Sequence, residues 1–317
     1  MKTWDGKRYN NLNYNLRNKF GDKVFKISLD AGFSCPNRDG TISTGGCIFC
    51  SARGSGDFAG INKDLVKQFE EVKAMMQKKW SSGKYIAYFQ AYTNTYADIN
   101  TLREKYYSVL KLEGVVGIAI ATRPDCLEEP VLDLLEEISK ESYLWVELGL
   151  QTINEGTAKL INRGYELETY IRAVRELKKR NIEVVTHVIL GLPGEKKADV
   201  LDTIDFVANT GTQGIKLHLL HVLKDTRLIK LYDEGSLAIM SKEEYVDLIV
   251  DCIQRLPEDM VIHRITGDGP RETLIAPKWS LKKWEVINAI EHELMEHSTW
   301  QGEKYVENQN ILELFDV

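Results

Sequence analysis

The feature that most constrains this chain is a regular alternation of short apolar, β-branched runs with longer amphipathic stretches. Runs at 24–29, 85–90, 115–121, 144–150, 183–190, 215–222 and 260–265 read as strands. Between them, 63–80 places Leu65, Phe69, Val72, Met75 and Met76 at intervals of roughly three to four residues. Segments 170–180, 198–210 and 242–255 repeat that period, and all four read as helices. Strands that are apolar throughout and joined by helices signal a parallel sheet, because crossover connections cover both of its faces. Six or seven such units predict a full or partial (β/α) barrel, with the chemistry on loops that follow the C-terminal ends of strands. A doubly wound open sheet competes with this, but its Gly-x-Gly-x-x-Gly turn after the first strand is missing. No internal repeat, low-complexity tract or long linker interrupts the pattern, which favours one continuous domain with terminal additions.

The chain has 43% hydrophobic residues and no run of eighteen apolar ones, so it can bury a sizeable core and lacks a bilayer-spanning helix. The N-terminus shows no secretory signal pattern, and the expected location is the cytoplasm. The net charge of −6 is unevenly spread. Residues 1–26 hold Lys2, Lys7, Arg8, Arg17, Lys19, Lys23 and Lys26 against Asp5 and Asp22, mixed with Trp4, Tyr9, Tyr14, Phe20 and Phe25. Two readings stay open there: an RNA-facing surface, or a solvated basic terminus anchored to the core by its aromatics. Five cysteines, an odd number in a reducing compartment, do not make a disulfide framework. Cys126 and Cys252 stand alone and read as small buried hydrophobes.

The other three cluster after the first predicted strand: Cys35 in Ser34-Cys35-Pro36-Asn37, then Cys47-Ile48-Phe49-Cys50. Glycines at 32, 40, 45, 46, 54, 56 and 60 let this loop fold tightly enough for thiolates to converge on one metal centre. Thiolates suit zinc or iron–sulfur, and spacing alone leaves both open. Structural zinc requires a fourth ligand, and none lies nearby in sequence. A [4Fe–4S] cluster on three cysteines keeps one iron open for a small molecule. The position after the first barrel strand, with Phe49 just before the last cysteine, favours iron–sulfur.

On these residues the chain resembles the radical S-adenosylmethionine (SAM) superfamily, whose last two cluster cysteines read Cys-x-aromatic-Cys. The first two are commonly separated by three residues; the eleven here resemble the Elp3-like subgroup and its small YtqA/YhcC (MnmL-type) family. The resemblance spans roughly residues 8–280 and includes Thr122-Arg123-Pro124-Asp125, similar to the Thr-Arg-Pro-Asp of Elp3-like proteins. It implies an α/β fold: a partial (β/α)6 TIM-like radical SAM barrel with N- and C-terminal extensions. The expected divisions are 1–23, a basic extension; 24–225, the barrel; and 226–317, a substrate-side extension.

The resemblance also implies site residues. Cys35, Cys47 and Cys50 hold the cluster. Phe49 joins the cofactor site, and Gln90, Tyr92 and Thr93 stand where relatives carry a Gly-Gly-Glu-like turn for the SAM amino group. Glu147 and Gln151 reach ribose hydroxyls or that amine. Arg163 offers a fork for the methionine carboxylate, against a plain reading as a helix-end cation. His187 replaces the first glycine of an adenine-binding Gly-x-Ile-x-Gly-x-x-Glu signature that keeps Gly191 and Glu195. Arg123, Arg264, Arg271 and Lys278 are candidate substrate contacts, with Trp279 and Trp284 stacking on a base or packing on the barrel. His218 and His221 are expected on opposite strand faces, so that both do not enter the barrel.

The activity so implied is that of a radical SAM enzyme: a reduced [4Fe–4S] cluster cleaves S-adenosylmethionine to give a 5′-deoxyadenosyl radical. The implied substrate is the wobble uridine of tRNA, with carboxymethylaminomethyl at C5 converted to aminomethyl. Acetyl-CoA chemistry is not expected, since only an acidic helix and tail occupy 285–317. Expected partners are tRNA and a reductant such as flavodoxin or ferredoxin, with no membrane and no DNA. Two alternatives remain: a radical SAM enzyme for a small metabolite, and a non-catalytic zinc or iron–sulfur module that binds RNA.

Overall fold

A computed structural model describes residues 2–80, 83–267 and 269–317. Strands β1 (Val24–Leu29), β2 (Lys84–Phe89), β3 (Val115–Thr122), β4 (Tyr143–Gln151), β5 (Glu183–Leu190) and β6 (Gly214–Leu219) pair in chain order, every pair parallel. The short β7 (Val222–Leu223) leaves that sheet and pairs antiparallel with β9 (Leu274–Ala276), while β8 (Val261–Arg264) joins beside β6. Among the described residues the sheet thus has seven strands, curled into a half-barrel, within the six or seven units expected.

The connecting helices are α2 (Leu65–Gln77), α3 (Ile99–Leu110), α4 (Glu129–Glu141), α5 (Glu155–Leu160), α6 (Leu167–Lys179) and α7 (Lys197–Ala208), preceded by α1 (Leu12–Phe20). After β7 come α8 (Leu228–Asp233), α9 (Lys242–Arg255), α10 (Lys283–Glu296) and the single turn α11 (Gln309–Leu312). Their starts follow side-chain chemistry. Asp64 and Asp98 accept from the first free N–H groups of α2 and α3, and Ser241 with Glu244 forms a reciprocal cap on α9. No helix among the described residues is long and apolar enough to cross a membrane.

Alternation divides each strand between two cores. Outward residues such as Leu29, Phe89, Ile120, Val146 and Leu190 pack under the helices. The inward set Val24, Ile86, Ala119, Trp145 and Val185 packs around Leu16 of α1, which plugs the base of the half-barrel. This two-sided burial is why the strands read as continuous apolar runs. The open seam between β1 and β8 is bridged by the approach to α1, where the Ile262 N–H donates to Asn10 O at 2.7 Å.

The basic N-terminal segment is anchored to the barrel. Trp4 and Tyr9 are buried, and Lys2, Lys7, Arg17 and Lys19 pair with Glu258, Glu291, Asp5 and Glu183. Glu258 and Glu183 precede or begin β8 and β5, so the segment lies at the base, away from the C-terminal mouth.

Candidate active site

The loop after β1 is fixed at the mouth by side chains bonding to backbone. Fully buried Asn37 donates to Asn162 O at 2.7 Å and approaches the Cys47 sulfur at 3.6 Å. Asn162, in left-handed backbone, donates to Gly46 O at 2.8 Å, and Arg38 donates to Cys50 O at 3.0 Å. Ile48 is stitched on both sides, donating to Ile161 O and accepting from Leu228 N–H. Gly46 has φ +74°, and a Cβ there would stand 2.8 Å from Arg38 Nε, so this turn requires glycine.

Cys35, Cys47 and Cys50 all line the cleft beneath this loop. Burial pushes the Cys47 thiol up to about 12, reinforced by Cys50 and opposed by Arg123. Burial raises Cys50 as well, against Arg38. Such thiols become thiolates when a bound cation supplies the missing charge. Among the described residues no three His, Cys, Asp or Glu side chains are grouped to hold one metal ion. A structural zinc would also need a fourth ligand. Three soft sulfurs lining one cleft suit a multi-iron cluster that keeps one iron open. Cys126 and Cys252 are buried thiols outside this set.

Phe49 lines the same cleft and packs with Ile48 against Ile161, Ile189 and Leu220. Gln90, Tyr92 and Thr93 form the turn after β2 and tie it to the loop: Gln90 Nε2 donates to Ser55 O at 2.9 Å, Tyr92 OH to Ala52 O at 2.6 Å, and the Thr93 N–H to Ser34 O. Gln151 ends β4 in left-handed backbone at the cleft wall.

Other expected site residues are engaged by neighbouring groups or lie apart from the cleft. Arg163 presents no fork: it is buried, and its guanidinium donates to Leu150 O, Thr152 O, Tyr165 O and Glu155 Oε1 at 2.7–3.0 Å. Arg123 is likewise a brace, clamped on Asp125 at 2.7 and 2.9 Å and donating to Arg163 O at 3.0 Å. Glu147 lies mid-strand, and its oxygens are already taken. Oε2 accepts from Tyr88 OH at 2.7 Å, from Lys216 Nζ, and pairs with His187 Nε2 at 2.9 Å; Oε1 accepts from Trp145 Nε1 at 2.9 Å. Gly191 faces a separate depression beside Met240, not the cleft. Lys278 donates to Leu274 O, Arg271 is exposed, and neither lines the cleft, whereas Arg264 does. Trp279 packs on Tyr245 and donates to Met240 O at 3.0 Å, while Trp284 is 74% exposed. His218 and His221 both line the cleft, because β6 ends at Leu219 and alternation no longer governs His221.

The layer around Glu147 is what sequence reading missed. Burial alone would raise the Glu147 carboxyl, but Lys216, His187 and Lys26 outweigh it and hold it well below the usual range. Burial lowers His187 to about 4, with Lys216 adding, so its ring is neutral near pH 7. Tyr88 and Lys216 belong to this layer, and the signal for them was present. Each interrupts an apolar strand at an inward position, as Glu147 and His187 do.

Comparison with known proteins places these features in a family. Residues 39–207 match the model of the radical SAM superfamily, and 212–296 match the Radical_SAM C-terminal domain. The chain is 54% identical to YtqA of Bacillus subtilis over 297 residues, 93% of this chain and 92% of that protein. It is 30% identical to Elongator complex protein 3 of Schizosaccharomyces pombe over 159 residues, 49% of this chain but 28% of that protein. The fold superposes on the archaeal Methanocaldococcus infernus Elp3 with a TM-score of 0.65 at 16% identity, covering 88% of this chain and 64% of that one.

Proposed function

This chain belongs to the radical SAM superfamily, and from that premise we propose that it modifies the wobble uridine of tRNA, converting carboxymethylaminomethyl at C5 to aminomethyl. Its cofactors are a [4Fe–4S] cluster and S-adenosylmethionine. Cys35, Cys47 and Cys50 would hold the cluster. Once bound and reduced, that cluster with S-adenosylmethionine would supply a 5′-deoxyadenosyl radical able to take hydrogen from unactivated carbon.

The protein's own contribution is placement and shielding. Asn37, Arg38 and Asn162 fix the loop that carries the thiols. Gln90, Tyr92 and Gln151 line the cleft where the nucleoside would lie. Tyr88, Glu147, His187 and Lys216 close the floor with polar groups already bonded to one another, which limits stray hydrogen and proton donors. The observation that carries the catalytic reading is the convergence of three cysteine thiols on one cleft at the C-terminal mouth of a parallel half-barrel.

The tRNA reading is supported by the likeness to Elp3 in sequence and fold, and by the Thr122-Arg123-Pro124-Asp125 turn. Mass spectrometry of wobble nucleosides from a deletion strain tests it. Carboxymethylaminomethyl-uridine should accumulate and aminomethyl-uridine should vanish, and an unchanged profile excludes this substrate. Dithionite-driven release of 5′-deoxyadenosine, with and without bulk tRNA, separates this from a small-metabolite enzyme and from a non-catalytic module.

A further inference from the structure

Among the described residues, the polar floor of the cleft gathers several basic side chains around one buried acid, Glu147. Lys216 and Arg264 line it with the rings of His187 and His218, while Lys26 and His263 line a neighbouring depression beside α1. Among the described residues, Glu147 is the acid that acts on Lys26, Lys216 and all three histidines, while Arg264 repels both lysines, His187 and His218. Glu147 cannot neutralise them all, since its two oxygens already engage Tyr88, Trp145, His187 and Lys216. The other cleft arginines are spent elsewhere: Arg38 on Cys50 O, Arg123 on Asp125, and Arg163 on Glu155.

Three of these groups share one wall. Lys216 and His218 share a face of β6, and Lys216 is the register partner of Arg264 on β8. All three line the cleft, and His218 Nε2 is a buried nitrogen with no hydrogen-bond partner. An unmet buried polar atom is costly, and an anion held between it and Arg264 offsets that cost. We propose that Arg264, Lys216 and His218 form a carboxylate-binding subsite in the floor of the cleft, and that the substrate places a carboxylate there. A backbone phosphodiester, flanked by two nucleotides, does not reach a floor beneath a loop. A carboxylate at the end of a short side chain does, and it matches the planar guanidinium.

This inference rests on the tRNA reading for its ligand, because a carboxymethylaminomethyl group ends in a carboxylate. Held there, the methylene between amine and carboxylate is one bond from a clamp built on rigid strands, which restricts where hydrogen is removed.

Calorimetry on the reconstituted holoenzyme tests the subsite. The probes are an anticodon stem-loop carrying carboxymethylaminomethyl-uridine, the same RNA as its methyl ester, and free N-methylglycine. The acid should bind at least tenfold tighter than the ester, and Arg264→Gln should shrink that ratio below threefold, with Arg264→Lys restoring part of it. Equal affinity for acid and ester in the unaltered protein overturns the subsite without any variant. If that protein converts the tRNA yet shows no preference, the subsite fails and the tRNA reading stands. If neither RNA binds but N-methylglycine does, in an Arg264-dependent way, the subsite stands and the tRNA reading fails. Binding of none of the three probes overturns both.

Discussion

The cysteine loop and the charged layer beneath it are built by opposite means. In the loop, side chains of Asn37, Arg38 and Asn162 bond to backbone carbonyls, and the three thiols are half-buried in one short stretch of chain. In the layer, Tyr88, Glu147, His187 and Lys216 come from four strands and bond chiefly to one another. The loop is therefore a local device that stability can spare, whereas the layer is part of the folded core. Substitutions in the first should act on the cofactor, and substitutions in the second on the fold.

The largest effect should follow alanine at Cys35, Cys47 or Cys50. We expect loss of bound iron and at least a thousandfold loss of SAM cleavage, with unfolding free energy of the metal-free protein changed by about 1 kcal/mol or less. Iron assay, 5′-deoxyadenosine release and denaturant titration read the three quantities, and a large loss of stability would break the contrast. Glu147→Gln should do the reverse first, destabilising by about 3–5 kcal/mol because Lys216 is left buried beside a neutral amide. Adding Lys216→Met should recover part of that loss, and a double variant worse than the sum of the singles would contradict the pairing.

The layer should also make stability depend on pH. His187 is held near 4 when folded and returns to its ordinary value near 6.5 when unfolded, so the unfolded chain binds more protons between those values. This contribution is fully present above about pH 6.5 and is lost as pH falls toward 4, for a total of about 1–3 kcal/mol. Denaturant midpoints across that window should drop in the unaltered protein and drop less in His187→Gln; parallel curves would argue against it. The smallest effect is expected from Asn37→Ala, which removes an N–H donor 3.6 Å from the Cys47 sulfur. The reconstituted cluster should then have a more negative midpoint potential in a spectroelectrochemical titration, since hydrogen bonds to sulfur favour the reduced state.

The same contrast explains what the sequence disclosed. The strand pattern was legible because buried parallel strands leave long apolar runs, and β1, β5 and α9 fall on their expected bounds. The thiols were legible because they sit within sixteen residues on one loop. For Arg163 the sequence could not disclose that carbonyls from β4 and the Glu155 carboxylate already engage it, whereas the partner of Arg123, Asp125, stood two residues away. The Glu147 layer is scattered across residues 88–216, and only the curling of the sheet brings it together. His221 shows the limit of alternation as a guide, since it holds only while the strand lasts.

At the centre of the proposed chemistry, three sulfurs would hold a cluster whose remaining iron would accept S-adenosylmethionine. Electron paramagnetic resonance of the reduced, reconstituted protein before and after adding that molecule tests this most directly. A [4Fe–4S] signal whose shape and g values change on addition is the predicted result. A signal indifferent to S-adenosylmethionine, from a cluster with every iron held by the protein, would contradict it.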